Sequence, residues 1–521
     1  MIERVVTLGP TRAVSSVRVS IERALPRLTQ RLASTGILQP LVRRVVWIWL
    51  TGALLLVFGI FGAVGAAAAR PVAWSKHAVD QRLNVVFILS DDERYDGTAV
   101  MKNLQTLIAN HGVTFTDMHV TTSLCGPSRA SILTGQYAHH TGVLDNFGPY
   151  SYPAFHNGEE SNDLAVWMQR AGYETGLVGK YVNSYTDAFV HHAIPPGWND
   201  WQVMDSIPME EYYNYSINDN GHLEHYGNKP SDYSTDVLTH KAVQFINGAR
   251  HPFFLYFAPV APHLPAVPAK RDRGKLHDIA PIDDPAFNQR NISKEPWRSW
   301  HRNLLNEAAQ SYVNHVRIKQ EETLLSLDRS VKNVVQALKA RHELNRTVII
   351  YTSDNGFLWG EHRLGGKVWP FEESTHVPLI IRTPWTTTPQ RNNQVVLNID
   401  LASTISALAG VRPALPQDGR SLVPFLDGQQ VPWRHAFLEE YLGRDLLHRG
   451  GPPQYTAVQT RRNLYVDYKN GWRELYNLRK DPWELNNIAG DPRTDPIQNT
   501  LSQVLRRLYD APPTPVTTQS K

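Results

Sequence analysis

Four short apolar runs constrain the fold of this 521-residue chain more than any other feature. They occupy residues 84–90, 176–179, 253–257 and 348–352. Runs that are apolar without alternation are typical of parallel strands covered on both faces. Segments with helical periodicity lie between them, at residues 162–171, 235–248 and 307–343. Strands that alternate with helices predict an α/β domain, which we expect to close near residue 411 after a further helix at 399–409.

Polar or charged residues follow each of these runs. They are Asp91, Asp92, Lys180, His263, Asp354 and Asn355. In α/β sheets, ligands bind in the crevice beyond the carboxyl ends of the strands. Four strands with polar groups at that end therefore predict one shared crevice.

The acidic members of this set indicate a hard cation. Carboxylate and amide oxygens, without a thiolate or imidazole pattern, suit Ca²⁺, with Mg²⁺ also compatible. An adjacent pair such as Asp91-Asp92 is, when taken alone, more often a turn or a helix cap. However, Asp354-Asn355 occupies the matching position after another buried strand, and carboxylates in one crevice repel each other unless a cation lies between them. We therefore interpret all four residues as metal ligands.

The only cysteine, Cys125, lies in the stretch SLCGPSRASILTG at residues 123–135. A lone cysteine cannot form an intrachain disulfide, so it is either a small buried packing residue or a reacting group. Pro127 suits a first helical turn, and Gly135 marks a helix end. Cys125 would then stand at a helix N-terminus with Arg129 one turn inward, where N–H groups and a guanidinium offer a seat for an oxyanion. The combination of a helix N-terminus with Arg129 favours the interpretation of Cys125 as a reacting group.

Two lysines and a histidine would add to this oxyanion-binding site. Lys180 follows a predicted strand, and Lys367 lies in the glycine-rich loop GEHRLGGKVWPFEE. Together with Arg129 they would surround a tetrahedral anion, as electrostatic catalysis requires. Neighbouring prolines hold the imidazole of His263 stiffly, which suits proton transfer. Taken singly, such a lysine is normally solvated and such a histidine is normally a satisfied core residue.

The remainder of the chain predicts further segments. Short runs at 436–439, 455–459 and 463–466 indicate an antiparallel sheet, and residues 496–510 indicate a last helix. We place this α+β subdomain at residues 432–510, after the larger domain at 83–411. The polar tail, residues 511–521, is predicted to be disordered.

The N-terminus has a different composition. Residues 1–44 carry eight arginines and two glutamates, a charge of +6, which leaves the rest of the chain near −2 and without a basic face for nucleic acid. Residues 45–69 are uncharged, and as a helix they span roughly 37 Å, more than the ~30 Å hydrocarbon core of a membrane. The arginine excess predicts a cytoplasmic N-terminus and an extracytoplasmic remainder, either anchored by residues 45–69 or secreted after cleavage near residues 66–69.

The stretch at 123–135 resembles the first signature of the type I sulfatases, and GYETGLVGKY at 172–181 is similar to the second. The Asp-Asp and Ser-Asp-Asn strand ends follow in that family's order, and LYNLRKDPWELNNIAGDP at 475–492 resembles its C-terminal segment. The resemblance covers residues 83–510. It implies an alkaline-phosphatase-like α/β fold, a mixed sheet sandwiched by helices, with a smaller C-terminal antiparallel sheet and a helix.

The resemblance also implies chemical roles. Cys125 would be oxidised by a formylglycine-generating enzyme to formylglycine, whose hydrate is the nucleophile. Ca²⁺ would be bound by Asp91, Asp92, Asp354, Asn355 and the modified Cys125. Arg129 would hold the hydrate, and Lys180, His263 and Lys367 would bind sulfate and assist the leaving group.

One departure from the family concerns the second signature. It usually reads GKWH, whereas this chain reads GKYVN, so that Asn183 stands near the place of a histidine. An amide cannot act as a base, and His139 and His362 are therefore candidates for proton transfer or substrate binding, with Asp354 or water as alternatives. The variant resembles the branch that contains N-acetylglucosamine-6-sulfatases and heparan endosulfatases. In that branch an arginine tends to precede the VPL motif, where this chain has His376.

These features lead to three hypotheses of function. The first is an extracytoplasmic sulfuric-ester hydrolase that acts on a sulfated small molecule or glycan, such as a 6-O-sulfated amino sugar. The second is a phosphonate or phosphate ester hydrolase of the same superfamily, because the crevice suits any tetrahedral anion. The third is an inactive carbohydrate-binding ectodomain, which is disfavoured because a retained charged cluster without function is destabilising.

Overall fold

The structure, a computed structural model, describes residues 82–185, 193–205, 211–250, 252–298, 303–444 and 451–515. Within these ranges, no helix is both long enough and apolar enough to cross a lipid bilayer. The arginine-rich segment 1–44 and the apolar segment 45–69 lie outside the described residues, and what the sequence predicts for them stays a prediction.

The described residues form eighteen strands and eleven α-helices, with short 3₁₀ turns between some of them. The strands are β1 (Asn84–Ser90), β2 (Gly112–Phe115), β3 (Met118–His119), β4 (Glu174–Gly179), β5 (Asp200–Met204), β6 (Tyr215–Asp219), β7 (His222–Tyr226), β8 (Phe253–Ala258), β9 (Thr347–Ser353), β10 (Leu358–Trp359), β11 (Gly365–Gly366), β12 (Leu379–Arg382), β13 (Gln390–Asn392), β14 (Val396–Leu397), β15 (Ala436–Tyr441), β16 (Tyr455–Thr460), β17 (Asn463–Tyr468) and β18 (Arg473–Asn477). The helices are α1 (Lys102–Leu107), α2 (Cys125–Thr134), α3 (Ala138–Thr141), α4 (Tyr152–Asn157), α5 (Leu164–Arg170), α6 (Ser234–Gly248), α7 (Glu307–Ala340), α8 (Glu372–Thr375), α9 (Asp400–Ala409), α10 (Val423–Leu426) and α11 (Asp495–Tyr509).

The main sheet has ten strands in the order β13-β2-β12-β9-β1-β8-β4-β5-β6-β7. Its centre, from β9 to β5, is parallel. On one side β12 pairs antiparallel with β9, and on the other β6 pairs antiparallel with both β5 and β7. The four strands predicted from apolar runs are consecutive neighbours in this centre: β9, β1, β8 and β4. The predicted mixed α/β sheet is therefore confirmed, and its parallel strands end along one common edge.

Alternate residues of β1 pack into two separate cores. Val85, Phe87 and Leu89 join the helices α2, α5 and α9 on one face of the sheet. Val86 and Ile88 join α1, α6 and α7 on the other face. Burial of one such side chain stabilises the fold by roughly 1.5–3 kcal/mol. Because both faces are covered, the strand is apolar without alternation.

The strands β15 to β18 form a separate antiparallel sheet near the C-terminus. One of its faces packs on α11 through Leu501 and Leu505, and the other packs on Trp369 and Phe371 of the main domain. The predicted small sheet and last helix are confirmed. The fourth strand, β18, was not predicted, because a buried glutamate, Glu474, interrupts its apolar pattern.

Part of the C-terminal tail differs from its prediction. Residues 511–515 are described, and Thr514 exchanges two backbone hydrogen bonds of 2.9 Å with Gln417. Backbone pairing with a neighbouring segment orders this stretch despite its polar composition. Residues 516–521 lie outside the described residues.

A buried ion pair joins α9 to the segment that leads into the small sheet. The guanidinium of Arg434, 6% exposed, donates through both terminal nitrogens to the carboxylate of Asp400, which is fully buried. Removing one partner of such a pair costs about 3–5 kcal/mol, because the other charge is left buried without compensation.

We therefore expect Arg434→Met to lower the free energy of unfolding by about 3 kcal/mol or more. Urea unfolding followed by tryptophan fluorescence measures the change. The control is Arg493→Met, which removes the exposed partner of Asp491 and should leave the unfolding midpoint unchanged. Equal midpoints for both variants would show that the buried pair contributes little.

Candidate active site

Two neighbouring strands carry the acidic residues of the site. Ser90 at the end of β1 stands in register with Ser353 at the end of β9, so the residues that follow are side by side. The backbone N–H of Asp92 donates to Oδ1 of Asp354 at 3.2 Å. Asp92 has a left-handed backbone angle, φ 69°, which turns the chain sharply at the sheet edge. A non-glycine residue in this region is strained, and such strain is typical of functional sites.

Cys125 is the first residue of α2 and is fully buried. Its Sγ lies 3.5 Å from Oδ1 of Asp91 and 4.0 Å from Oδ1 of Asp92. The next N–H, of Gly126, donates to Oδ1 of Asn146 at 2.7 Å. A Cβ at position 126 would lie 2.9 Å from that oxygen, so the close approach requires glycine.

Three cationic side chains converge on the same carboxylates. Nζ of Lys180 lies 2.6 Å from Oδ2 of Asp91, and Nε of Arg129 lies 2.8 Å from Oδ2 of Asp354. Nζ of Lys367 lies 2.5 Å from Oδ1 of Asp92 and 2.7 Å from Sγ of Cys125. The sulfur thus contacts the ammonium group of Lys367 and lies near carboxylate oxygens of Asp91 and Asp92.

His263 lies at the mouth of this cluster. Its Nε2 is 3.5 Å from Oδ2 of Asp92, and its Nδ1 donates to the carbonyl of Leu264 at 2.5 Å. The hydroxyl of Tyr212 donates to the carbonyl of His263 at 2.9 Å. These contacts fix the ring and leave Nε2 directed at the site.

The electrostatic environment sets the protonation states. Burial alone would raise the pKa of Asp91, but the charges of Lys180, His263, Arg129 and Lys367 hold it well below its usual range. Burial, supported by the charge of Asp91, raises the pKa of Asp354.

The thiol of Cys125 is not activated by this environment. Burial raises its pKa despite the neighbouring ammonium groups of Lys180 and Lys367. The thiolate is the nucleophilic form of cysteine. An unmodified Cys125 therefore remains a protonated, weakly nucleophilic thiol at neutral pH.

The oxygen atoms fit a hard cation. Ligand atoms of Asp91, Asp92, Cys125 and His263 lie within 4.8 Å of one another. Oδ1 of Asn355 is buried without a hydrogen-bond partner, while its Nδ2 donates to Asp92 at 2.6 Å. An unpaired amide oxygen beside three carboxylates supplies the donor set that Ca²⁺ and Mg²⁺ prefer.

Of the further candidates from the sequence, Asn183 lies nearest to the cysteine. A Cβ on Gly126 would be 3.6 Å from the Cβ of Asn183, which places this side chain beside the first turn of α2. Its Oδ1 is buried without a partner. Asn183 therefore lies beside the first turn of α2, one residue after the position at which the family signature has a histidine.

The structure does not bring three other histidines to the cluster. Nδ1 of His139 lies 2.8 Å from Oε2 of Glu440. Nδ1 of His362 lies 3.1 Å from Oε1 of Gln289. His376 stacks on the exposed ring of Tyr95 and lines a separate cleft of about 1370 Å³, which contains none of the residues around Cys125.

Sequence reasoning missed two residues that support the site. Asn146 accepts from the N–H beside Cys125, and Tyr212 holds the backbone of His263. Neither follows a predicted strand. No local pattern in the sequence connects Tyr212 with His263, which lies 51 positions later.

Comparisons with known proteins agree on one family. The family described as Sulfatase matches residues 83–411, and the one described as N-sulphoglucosamine sulphohydrolase, C-terminal, matches residues 360–511. The N-acetylglucosamine-6-sulfatase of Homo sapiens is 33% identical over 479 residues, which cover 84% of this chain and 84% of that protein.

Two solved structures share the fold. A protein solved in complex with its substrate D-glucosamine-2-N,6-O-disulfate has a TM-score of 0.70 and 24% identity, covering 83% of this chain and 99% of that one. The phosphonate monoester hydrolase of Agrobacterium radiobacter has a TM-score of 0.67 and 22% identity, covering 82% of this chain and 95% of that one. At such identities, both likenesses establish the fold alone.

Asn355→Leu tests the fit to a divalent cation. The substitution keeps the shape of the side chain and removes its unpaired oxygen, so we expect Ca²⁺ to bind at least about tenfold more weakly, a loss of ~1.4 kcal/mol. Isothermal titration calorimetry with Ca²⁺ and then Mg²⁺ measures the change. Glu93→Gln is the control, since that buried carboxyl accepts from the hydroxyl of Tyr351 and not from the cluster. Equal affinities for the two variants would exclude Asn355 as a ligand.

Proposed function

The chain belongs to the sulfatase family and is a sulfatase, and we propose that it hydrolyses 6-O-sulfate esters of amino sugars with a formylglycine made from Cys125 and a bound Ca²⁺. One observation carries this proposal. The buried Sγ of Cys125 lies 2.7 Å from Nζ of Lys367 and 3.5 Å from a carboxylate oxygen of Asp91. The reacting position thus contacts both the cations that suit a sulfate group and the carboxylates that suit a metal ion.

The raised pKa of the Cys125 thiol supports its conversion to formylglycine. A buried thiol with a raised pKa is a poor nucleophile. A hydrated aldehyde at the same position supplies one hydroxyl that attacks sulfur and a second whose deprotonation expels sulfate and restores the carbonyl. Maturation by a formylglycine-generating enzyme then explains why a single cysteine is kept at a helix N-terminus.

The residues around position 125 would have different roles in the reaction. Asp91, Asp92, Asp354 and Asn355 would hold Ca²⁺, whose charge offsets their own. Lys180 and Lys367 would bind the sulfate oxygens and stabilise the negative charge that grows on them during transfer. Arg129, held by Asp354, lies one turn along α2 from Cys125 and would keep the hydrate in place.

His263 is suited to both proton transfers. Its Nδ1 donates to the carbonyl of Leu264, so Nε2 faces the site in either charge state. As imidazolium, it would give the Nε2 proton to the departing alcohol oxygen. The neutral Nε2 would then accept a proton from the hydrate as sulfate leaves. His263 would thus accept the proton of the hydrate. In the family, the histidine of the second signature is the candidate for this step, and this chain has Asn183 near that position.

The shape of the site favours a terminal sulfate ester. The cluster is buried, and Lys367 and His263 are its most accessible members, with side chains 15% and 19% exposed. The sulfate would therefore enter past these two residues while the sugar stays at the rim. The amino-sugar substrate is supported by the relative named N-acetylglucosamine-6-sulfatase. An extracytoplasmic location follows from the N-terminal sequence and suits sulfated glycans.

Cys125→Ala is expected to abolish sulfate ester hydrolysis, because it removes the only precursor of the aldehyde. The side chain is small, so the thermal unfolding midpoint should change little. Peptide mass spectrometry of the active wild-type protein should show an aldehyde in place of the thiol at position 125. As a control, Cys125→Ser keeps one hydroxyl but not the second, and should stop after a single turnover. An active sample with an unmodified thiol contradicts the mechanism.

A substrate panel tests the assignment of the ester. We expect kcat/KM to be highest for N-acetylglucosamine-6-sulfate, lower for an aryl sulfate and lowest for an aryl phosphonate. The comparison with the aryl phosphonate is needed because a phosphonate monoester hydrolase shares the fold. Faster hydrolysis of the phosphonate would overturn the sulfate preference. Equal rates for glucose-6-sulfate and the amino sugar would overturn only the substrate class.

A further inference from the structure

A second group of potential metal ligands lies outside the site around Cys125. It consists of His362, Glu373 and Glu484, all buried. One ligand atom from each lies within 4.8 Å of the other two. His362 and Glu373 belong to the segment that contains Lys367, and Glu484 belongs to the C-terminal segment after β18. The group therefore joins the main domain to the C-terminal subdomain.

Each of these three side chains has a buried polar atom without a hydrogen-bond partner. Nε2 of His362, Oε2 of Glu373 and Oε1 of Glu484 are buried without a hydrogen-bond partner. Buried polar atoms in folded proteins are almost always paired. Three side chains that each carry such an unpaired atom, and whose ligand atoms lie within 4.8 Å of one another, thus indicate a ligand that contacts all three.

The remaining polar atoms of His362 and Glu484 are already engaged. Nδ1 of His362 donates to Oε1 of Gln289 at 3.1 Å, which fixes the tautomer and leaves a lone pair on Nε2. Metal-binding histidines typically donate their other N–H to an oxygen in this way. The ring also stacks on Phe371 at 4.1 Å between centroids, and Oε2 of Glu484 accepts from the backbone N–H of Glu372 at 3.4 Å.

We propose that His362, Glu373 and Glu484 bind a divalent transition metal ion, with Zn²⁺ as the best match. One imidazole and two carboxylates are ligands that Zn²⁺ takes at about 2.0–2.2 Å, and a water molecule can complete four-coordination. Ca²⁺ prefers six to eight oxygens and fits this set poorly. Two carboxylates and a divalent cation also give a neutral site, which suits a buried position.

Electrostatics is consistent with this assignment. Burial raises the pKa of Glu373 to about 8 and that of Glu484 well above its usual range, and burial lowers the pKa of His362 to about 3. The carboxyl groups would therefore be protonated unless a cation stabilises their charge. Zn²⁺ supplies that charge and needs the neutral imidazole that burial favours.

The site would also clamp a catalytic loop. His362 lies five residues before Lys367, and Glu373 lies six residues after it. A metal bound to both and to Glu484 would tie the two flanks of this loop to the C-terminal subdomain. Lys367 contacts Cys125, so the clamp would act on activity by positioning the ammonium group.

The test is the metal content of the full chain, purified without metal-affinity resin or chelator. After dialysis against Zn²⁺ and then against buffer, mass spectrometry of the elements should find zinc equimolar with protein. Glu484→Gln and His362→Gln, which keep size and polarity, should each lose the zinc. A Co²⁺-loaded sample should show visible absorption bands that Glu484→Gln lacks.

Two controls separate this site from the one around Cys125. Glu474→Gln changes another buried carboxyl of the subdomain, which contacts Tyr468, and should keep its zinc. Asp354→Asn should lose calcium and keep zinc. Wild-type protein without bound zinc, and with no rise in its thermal midpoint when Zn²⁺ is added, would overturn the proposal and show that the cluster shares protons instead. This outcome needs no variant and leaves the proposed sulfatase mechanism untouched.

Discussion

A balance of buried charge is the constraint on which the rest of the structure depends. Three carboxylates at the edge of the main sheet face three cationic side chains, and nearly all of these groups are withdrawn from water. Burying either set alone would cost several kcal/mol per ion. The carboxylates come from β1 and β9, the guanidinium from α2 and the ammonium groups from the end of β4 and a glycine-rich loop. Displacement of any one element would leave an uncompensated charge.

The parallel centre of the sheet makes this balance possible. Lys180 follows Gly179, whose φ of 121° and lack of a side chain let the backbone approach β8, since a Cβ there would lie 2.1 Å from the carbonyl of Ala258. The backbone N–H of Val368 donates to the carbonyl of Ser123 at 3.0 Å, which ties the loop of Lys367 to the segment before Cys125. These two close backbone contacts thus bring together residues that are far apart in the sequence.

These features explain which parts could be predicted from the sequence. Strands buried on both faces are visible as continuous apolar runs, and the residue that follows each run necessarily lies at the shared edge. Asp91, Lys180 and Asp354 could be assigned to one crevice for that reason. The predicted helix at Cys125 and its end at Gly135 are likewise confirmed, because Gly135 adopts the left-handed angle that ends a helix.

Other parts could not be predicted, because they depend on contacts without a local pattern. A histidine in a glycine-rich loop has the same appearance in the sequence whether it faces a substrate or a core, and only packing against Phe371 and Gln289 places His362 in the core. The strand β18 was missed because Glu474, its second residue, is buried in a sheet. Its carboxyl is tolerated there because the hydroxyl of Tyr468 donates to it. Buried polar residues whose hydrogen-bond partners are distant in the sequence cannot be predicted from hydrophobic periodicity.

The position of Lys367 shows how the two parts of the chain depend on each other. Its loop has few apolar residues before the lysine, and its glycines are conformationally permissive. Just after the lysine, however, Trp369 and Phe371 pack on the small antiparallel sheet, and Glu372 donates its N–H to Glu484. The C-terminal subdomain therefore helps to fix the loop, together with the backbone hydrogen bond from Val368 to Ser123 in the main domain. Through Trp369, Phe371 and Glu372, the subdomain thus helps to hold the ammonium group of Lys367 at 2.7 Å from Sγ of Cys125, although none of the subdomain residues that the structure describes contacts this sulfur.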